Sequence, residues 1–232
     1  MIELSDNQVP VHPAATVVVL RDAEAGPEVL LLQRNKALKH MGGEWVFPGG
    51  RVDAGDYAED GDDYTAACNA AIRETREEAG LALTPDQLSY LSHWTTPQGA
   101  RRRYATWFFL AVLDDAQEVC VDGGEISAHR WLTPQQAFTE IRDTDNVFRL
   151  MPPTFVSLAD LAPHECIASA QEVVRARQPL MFEPRMVQVE GGICFLYAGD
   201  AGYEVCCETV DGPRHRTYMI DYQLDYIRDP GL

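Results

Sequence analysis

Residues 73–81, Arg73-Glu74-Thr75-Arg76-Glu77-Glu78-Ala79-Gly80-Leu81, decide how this chain folds. Glu74, Glu77 and Glu78 stand three and four residues apart, offsets that share one face of an α-helix. Like charges at that spacing cost a helix roughly 0.2–0.5 kcal/mol per pair. Something positive is expected opposite them, and a hard divalent cation with carboxylate-oxygen ligands suits the donor set. The simpler alternative is a solvated acidic helix surface.

The helix carrying this trio is expected over Tyr64–Ala79. Ala66, Ala67, Ala70 and Ala71 favour helix and allow close packing. Asp62 or Asp63 serves as N-cap, and Gly80 sits where a left-handed terminal residue belongs. Upstream, residues 51–63 are acidic, contain glycine and read as a loop. Before them Pro48-Gly49-Gly50 forces a turn. Paired glycines let the backbone approach another group closely and can aim a carbonyl oxygen at a cation. Trp45-Val46-Phe47 forms a short strand, and residues 14–20 and 28–33 pair as a hairpin across a turn-rich segment.

Downstream, strands are expected at 88–94, 104–113 and 129–132, with residues 119–121 extending the sheet. Thr133 caps a short helix over 134–142, with Pro134 at its first position. Strands and helices interleave, which predicts an α/β sandwich around a mixed sheet. Residues 143–153 read as a linker, and 154–161 and 165–177 as short helices. The last stretch is β-rich. Residues 186–190 and 193–197 flank Gly191-Gly192 as a hairpin, and 203–210 and 215–227 add strands. These make residues 143–232 an extension packed on the main domain, not a second catalytic unit.

The 232 residues include 19 Lys and Arg against 36 Asp and Glu, a formal net charge of −17. Such a surface argues against sequence-independent binding to nucleic acid or anionic membrane. No apolar run approaches the roughly 18 residues needed to span a bilayer, and the first ten residues lack signal-peptide character. Six cysteines without C-x-x-C spacing read as thiols of a cytoplasmic protein.

The glycine turn and the acidic helix together resemble the signature of the Nudix hydrolases. That signature is a glycine, five residues, a glutamate, seven residues, then R-E-U-x-E-E-x-G-U with U apolar. Residues 73–81 match it except for Thr75 at an apolar position, and Gly50 begins it. Asp56 stands where the family has glutamate, and sixteen residues separate it from Arg73 where the family has seven. Nine residues are thus inserted, around 57–65, which leaves the role of Asp56 open.

The resemblance covers about residues 10–142 and implies a Nudix-type α/β/α sandwich that hydrolyses the diphosphate bond of a small nucleoside diphosphate derivative. It implies Mg²⁺ or Mn²⁺ held by Glu74, Glu77, Glu78 and the Gly50 carbonyl. Arg73 corresponds to the arginine that orients these carboxylates, and the general base falls on Glu74 or Glu125. Arg102 and Arg103, in the tight basic cluster 101–103, and Arg34 are the candidates for substrate phosphate; pairing with surface carboxylates is the alternative for the cluster. Homodimers are common in the resembled family.

Leu30-Leu31-Leu32-Gln33-Arg34, the acidic insertion, Arg102-Arg103-Tyr104, Trp107-Phe108-Phe109 and Leu150-Met151-Pro152-Pro153-Thr154 are similar to the coenzyme A diphosphatase branch. ADP-ribose or NADH, or a non-catalytic nucleotide-sensing domain, are the alternatives.

Overall fold

A computed structural model describes residues 9–59, 61–113, 117–143 and 147–232. Its centre is β1 (Val11–Arg21), whose apolar run is buried on both faces. Such a strand belongs in the middle of a sheet covered on two sides. β1 pairs in parallel with β6 (Arg103–Val112) from Val11↔Arg103 to Leu20↔Val112. At its C-terminal end it forms the expected hairpin with β2 (Glu28–Arg34), and at its N-terminal half it pairs with β4 (Gly49–Arg51). β3 (Trp45–Val46) and β7 (Ile126–Leu132) pair with β2, while β5 (Ser89–Thr95) lies antiparallel to β6. β8 (Leu180–Phe182) joins β5 in parallel and completes a mixed eight-stranded sheet.

Alternate residues of the strands face opposite layers. Ala15, Val17, Leu30, Leu32 and Phe109 pack under α1 (Asp63–Ala79). Val18, Leu20, Leu31, Phe108 and Leu110 face the other way, toward α2 (Pro134–Arg142), α3 (Pro152–Leu161) and α4 (Ile167–Ala176). This is the expected α/β/α layering. α2 is capped by Thr133 with Pro134 leading, as its sequence predicts.

The C-terminal stretch forms an antiparallel meander of β9 (Arg185–Val189), β10 (Gly192–Leu196), β11 (His215–Ile220) and β12 (Gln223–Arg228). Phe195, Tyr197, Met219 and Leu224 from it share one buried cluster with Trp94, Phe155 and Phe182. Trp94 stacks flat on Phe182, ring centres 3.9 Å apart.

Four expectations need correction. Residues 119–121 are not a strand: the Cys120 amide bonds the Ala79 carbonyl at 2.8 Å, so the segment crosses the end of α1. Residues 203–210 form turns, not a strand, because the buried Asp200–Arg216 pair gathers this excursion; Arg216 also donates to the Glu208 carbonyl. Residues 215–227 are two strands, reversed at Asp221 and Tyr222, which both adopt positive φ as a tight hairpin turn requires. The described part of 143–153 is no loose linker. Phe148 and Leu150 are buried, Phe148 stacks on Trp45, and the Trp45 amide bonds the Arg149 carbonyl.

Candidate active site

α1 begins at the Asp62 cap, whose side chain accepts from the Thr65 amide, and ends at Gly80 with φ of 71°. The first residues of the expected inserted loop's end, 63–65, are therefore already helical. The helix lays Ala66, Ala67, Ala70 and Ala71 flush against the sheet, all without solvent exposure. Four-residue steps carry that stripe from Ala66 and Ala70 on to Glu74 and Glu78. The packing face of α1 thus ends in two carboxylates. Thr75, at the signature's apolar position, is fully buried, and its hydroxyl donates back to the Ala71 carbonyl at 2.7 Å. That bond satisfies the hydroxyl where no outside partner reaches it.

Room for the carboxylates comes from β4. A Cβ on Gly50 would lie 2.4 Å from Glu74 Oε1, so glycine alone leaves space for that side chain. The Gly49 amide donates to Glu78 Oε2 at 2.9 Å. Glu78 is only 5% exposed. Burial pushes its carboxyl up to about 8; the Gly49 bond opposes this, and the charges of Glu74 and Glu125 reinforce it. Glu74 is also raised, chiefly by burial, with Arg73 pulling it down and Glu77 and Glu125 pushing it up. Glu77 stands toward solvent.

Arg73 is the hub. Its Nη1 reaches Glu74 at 2.8 Å and Glu77 at 3.2 Å. Nε and Nη2 grip Asp56 at 3.0 and 2.9 Å, and Nη2 also donates to the Arg51 carbonyl. Hydrogen bonds from Arg73 hold Asp56 well below the usual carboxylate range. Asp56 is buried, closes a short 3₁₀ turn over 54–56, and is tied to α1 again through Asn69. The open question about Asp56 is thereby answered structurally: it anchors the arginine from across the insertion.

Glu125 comes in from the loop before β7, where Asp122 accepts from the amides of Gly124, Glu125 and Ile126. It pairs with Arg34 at 2.7 Å, and its charge reaches Glu74 and Glu78. Arg34 Nε is buried without a partner among the described residues. The arginine cluster divides. Arg102 is exposed at the rim of a cavity on the far face of the sheet from α1. Arg103 turns into a separate cleft beside Arg185 and donates Nε to the Thr96 carbonyl at 3.1 Å. The structure therefore gathers Arg34, Gly50, Arg73, Glu74, Glu77, Glu78 and Glu125, and places Arg102 and Arg103 elsewhere.

Among the described residues, no three His, Cys, Asp or Glu side chains form a finished metal cage. The donor chemistry still fits Mg²⁺ or Mn²⁺. All donors are hard oxygens, the charge of half-buried Glu74 opposes ionisation of buried Glu78, and Mg²⁺ keeps waters and substrate phosphates as its remaining ligands.

Glu44 was not foreseen from sequence as a site residue. It is buried between Gly43 and Trp45, burial raises its carboxyl while Arg149 opposes, and its Oε2 has no partner among the described residues. A charged residue next to a buried tryptophan is the only sequence signal it offered.

A family model described as the NUDIX domain matches residues 10–152. Putative nudix hydrolase 7 of Caenorhabditis elegans is 27% identical over 210 residues, 75% of this chain and 69% of that protein. Acyl-coenzyme A diphosphatase NUDT19 of Xenopus laevis is 23% identical over 274 residues, 76% of this chain and 71% of that protein. The crystal structure of a NUDIX hydrolase from Alicyclobacillus acidocaldarius shares the fold, with a TM-score of 0.63 at 23% identity over 75% of this chain and 99% of that one. With the family model covering more than half of its length, the chain belongs to the Nudix family and is a pyrophosphohydrolase of nucleoside diphosphate derivatives.

Proposed function

We propose that the substrate is coenzyme A or an acyl-coenzyme A, cleaved at its diphosphate bond with Mg²⁺ or Mn²⁺ as the metal. The observation that carries the reaction is the seating of Glu74 and Glu78 beneath Gly49 and Gly50, clasped by Arg73. Support for the substrate is the likeness to a relative named an acyl-coenzyme A diphosphatase.

In this reading Glu74, Glu77, Glu78 and the Gly50 carbonyl hold the metal. When bound, the metal offsets the negative diphosphate oxygens and makes the attacking water more acidic. Arg73, fixed by Asp56, sets the directions of Glu74 and Glu77. Arg34, with Nε unpartnered, offers a donor to a phosphate oxygen. Glu125 is the proposed general base: it is half exposed, faces the α1 carboxylates from another element, and sits on a loop pinned by Asp122. Glu74 is less suited, since Arg73 and Gly50 already enclose its Oε1. Residues 10–142 carry this chemistry, and residues 143–232 act as a packed extension.

The test is a panel of coenzyme A, acetyl-coenzyme A, ADP-ribose and NADH with Mg²⁺ and Mn²⁺, with products resolved by mass and ¹⁸O-water marking the attacked phosphorus. The expected products from the first two are 4′-phosphopantetheine, acylated or not, and adenosine 3′,5′-bisphosphate. Faster turnover of ADP-ribose or NADH would overturn the substrate assignment. Glu125→Gln is expected to lower kcat by about 100-fold or more while leaving metal affinity unchanged. A full-rate variant would remove Glu125 from the base role.

A further inference from the structure

On the sheet face opposite α1 lies a cavity of about 290 Å³. Glu44, Trp94, Phe108, Met151 and Phe195 are among its walls, and Arg102 stands at its rim. Two wall residues are more than nine-tenths buried and carry polar atoms with no partner among the described residues: Glu44 Oε2, an acceptor, and Trp94 Nε1, a donor. Buried polar groups are nearly always paired, so orphans call for an explanation. Here an acceptor and a donor are orphaned in the same cavity wall. Phe108, Met151 and Phe195 give the lining an apolar part, and Lys39, His40 and Arg101 add polar groups to it. Ligand pockets have this make-up, an apolar lining with a few placed polar groups that fix orientation.

The cavity also adjoins the reaction centre through the backbone. The Arg34 amide bonds the Glu44 carbonyl at 3.0 Å, and the Arg34 guanidinium holds Glu125 at 2.7 Å. Met151, before α3, and Phe195, on β10, complete the walls, so the C-terminal stretch helps shape the cavity.

We propose that Glu44 and Trp94 are a specificity-determining pair in a subsite for the organic end of the substrate. That end would be a phosphate-linked, largely apolar group presenting an N–H donor to Glu44 and an acceptor to Trp94. Two parts of a coenzyme A-type molecule share this chemistry: the edge of an adenine base and the secondary amides of a pantetheine arm. The inference rests on the diphosphatase reading for its choice of ligand, but its test does not depend on turnover.

The full chain, in EDTA so that no hydrolysis occurs, is titrated calorimetrically with adenosine 3′,5′-bisphosphate and separately with 4′-phosphopantetheine. Wild type is compared with Glu44→Leu and Trp94→Phe. Each variant removes one orphaned group and keeps an apolar wall. We expect one fragment to bind wild type and to weaken roughly tenfold in each variant, equivalent to about 1.4 kcal/mol. The fragment that does so identifies the source. We also expect Tm to hold or rise in Glu44→Leu, because an apolar replacement relieves an unpaired buried carboxyl. Loss of stability in both variants with fragment binding unchanged would overturn the proposal and make the pair structural. Failure of both fragments to bind wild type overturns it too. Metal-dependent turnover of coenzyme A alongside that failure would leave the diphosphatase reading standing. Fragment binding that obeys the variants, without turnover of any diphosphate, would sink the diphosphatase reading and keep the subsite.

Discussion

Glu78→Gln separates a carboxylate kept for a cation from one merely buried. An acid raised from its ordinary 4.5 to about 8 holds its proton more tightly in the fold than in the unfolded chain. Its contribution is therefore intact below pH 4.5 and is progressively lost as pH rises toward 8. Linkage from those two values puts the loss at about 2 kcal/mol by pH 6 and about 4 kcal/mol by pH 8. Glutamine retains an oxygen to accept from the Gly49 amide, now 2.9 Å from Glu78 Oε2, and carries no charge. In EDTA the variant should thus gain about 2 kcal/mol on wild type between pH 6 and pH 8, or about 4–8 °C in Tm for a chain of this size. Scanning calorimetry across that range reads the difference directly, and the comparison cancels groups that titrate in both proteins. Millimolar Mg²⁺ should raise the Tm of wild type at pH 8 and move the variant little. Hydrolysis of any diphosphate substrate should fall by orders of magnitude. Parallel pH profiles in EDTA would refute the reasoning, since they would show that ionising Glu78 costs the fold nothing.

Asp56→Ala strips Arg73 of its paired acceptor and leaves the guanidinium on Glu74, Glu77 and the Arg51 carbonyl. A loss of about 2–4 kcal/mol in urea unfolding is expected, with kcat lowered because the glutamates lose their fixed partner. Gly50→Ala puts a methyl 2.4 Å from Glu74 Oε1 and forces that carboxylate aside. It should cost about 1–3 kcal/mol and weaken metal binding measured by calorimetry. Arg102→Ala, at the cavity rim, should raise KM more than it lowers kcat; steady-state kinetics on the true substrate decide this, and a loss confined to kcat would place Arg102 at the reacting phosphate instead.

The chain's local grammar made much of this molecule legible. The Asp62 cap, the alanine stripe and Gly80 are signals read within a few residues of one another, so the bounds of α1 follow from sequence. The shared face of Glu74 and Glu78 follows from helical periodicity, and the Gly49-Gly50 turn from two adjacent residues. What sequence could not weigh was contact across long separations. Asp56 lies 17 residues from Arg73, and only the folded path of the insertion shows them joined. Arg102 and Arg103 are neighbours in sequence, yet Arg102 lies in the bend before β6 and Arg103 opens the strand, so one rims the cavity and the other enters a different cleft. The segment 119–121 has the composition of a strand but spends an amide on the end of α1. Glu44, Trp94, Met151 and Phe195 meet only because sheet register and the docking of the C-terminal stretch bring four distant segments to one cavity. Sequence alone determined the acidic helix and the glycine turn, because hydrogen bonding and periodicity along a short stretch suffice for both. Tertiary structure decided what surrounds them, because burial and pairing depend on which remote side chain arrives at the same point in space.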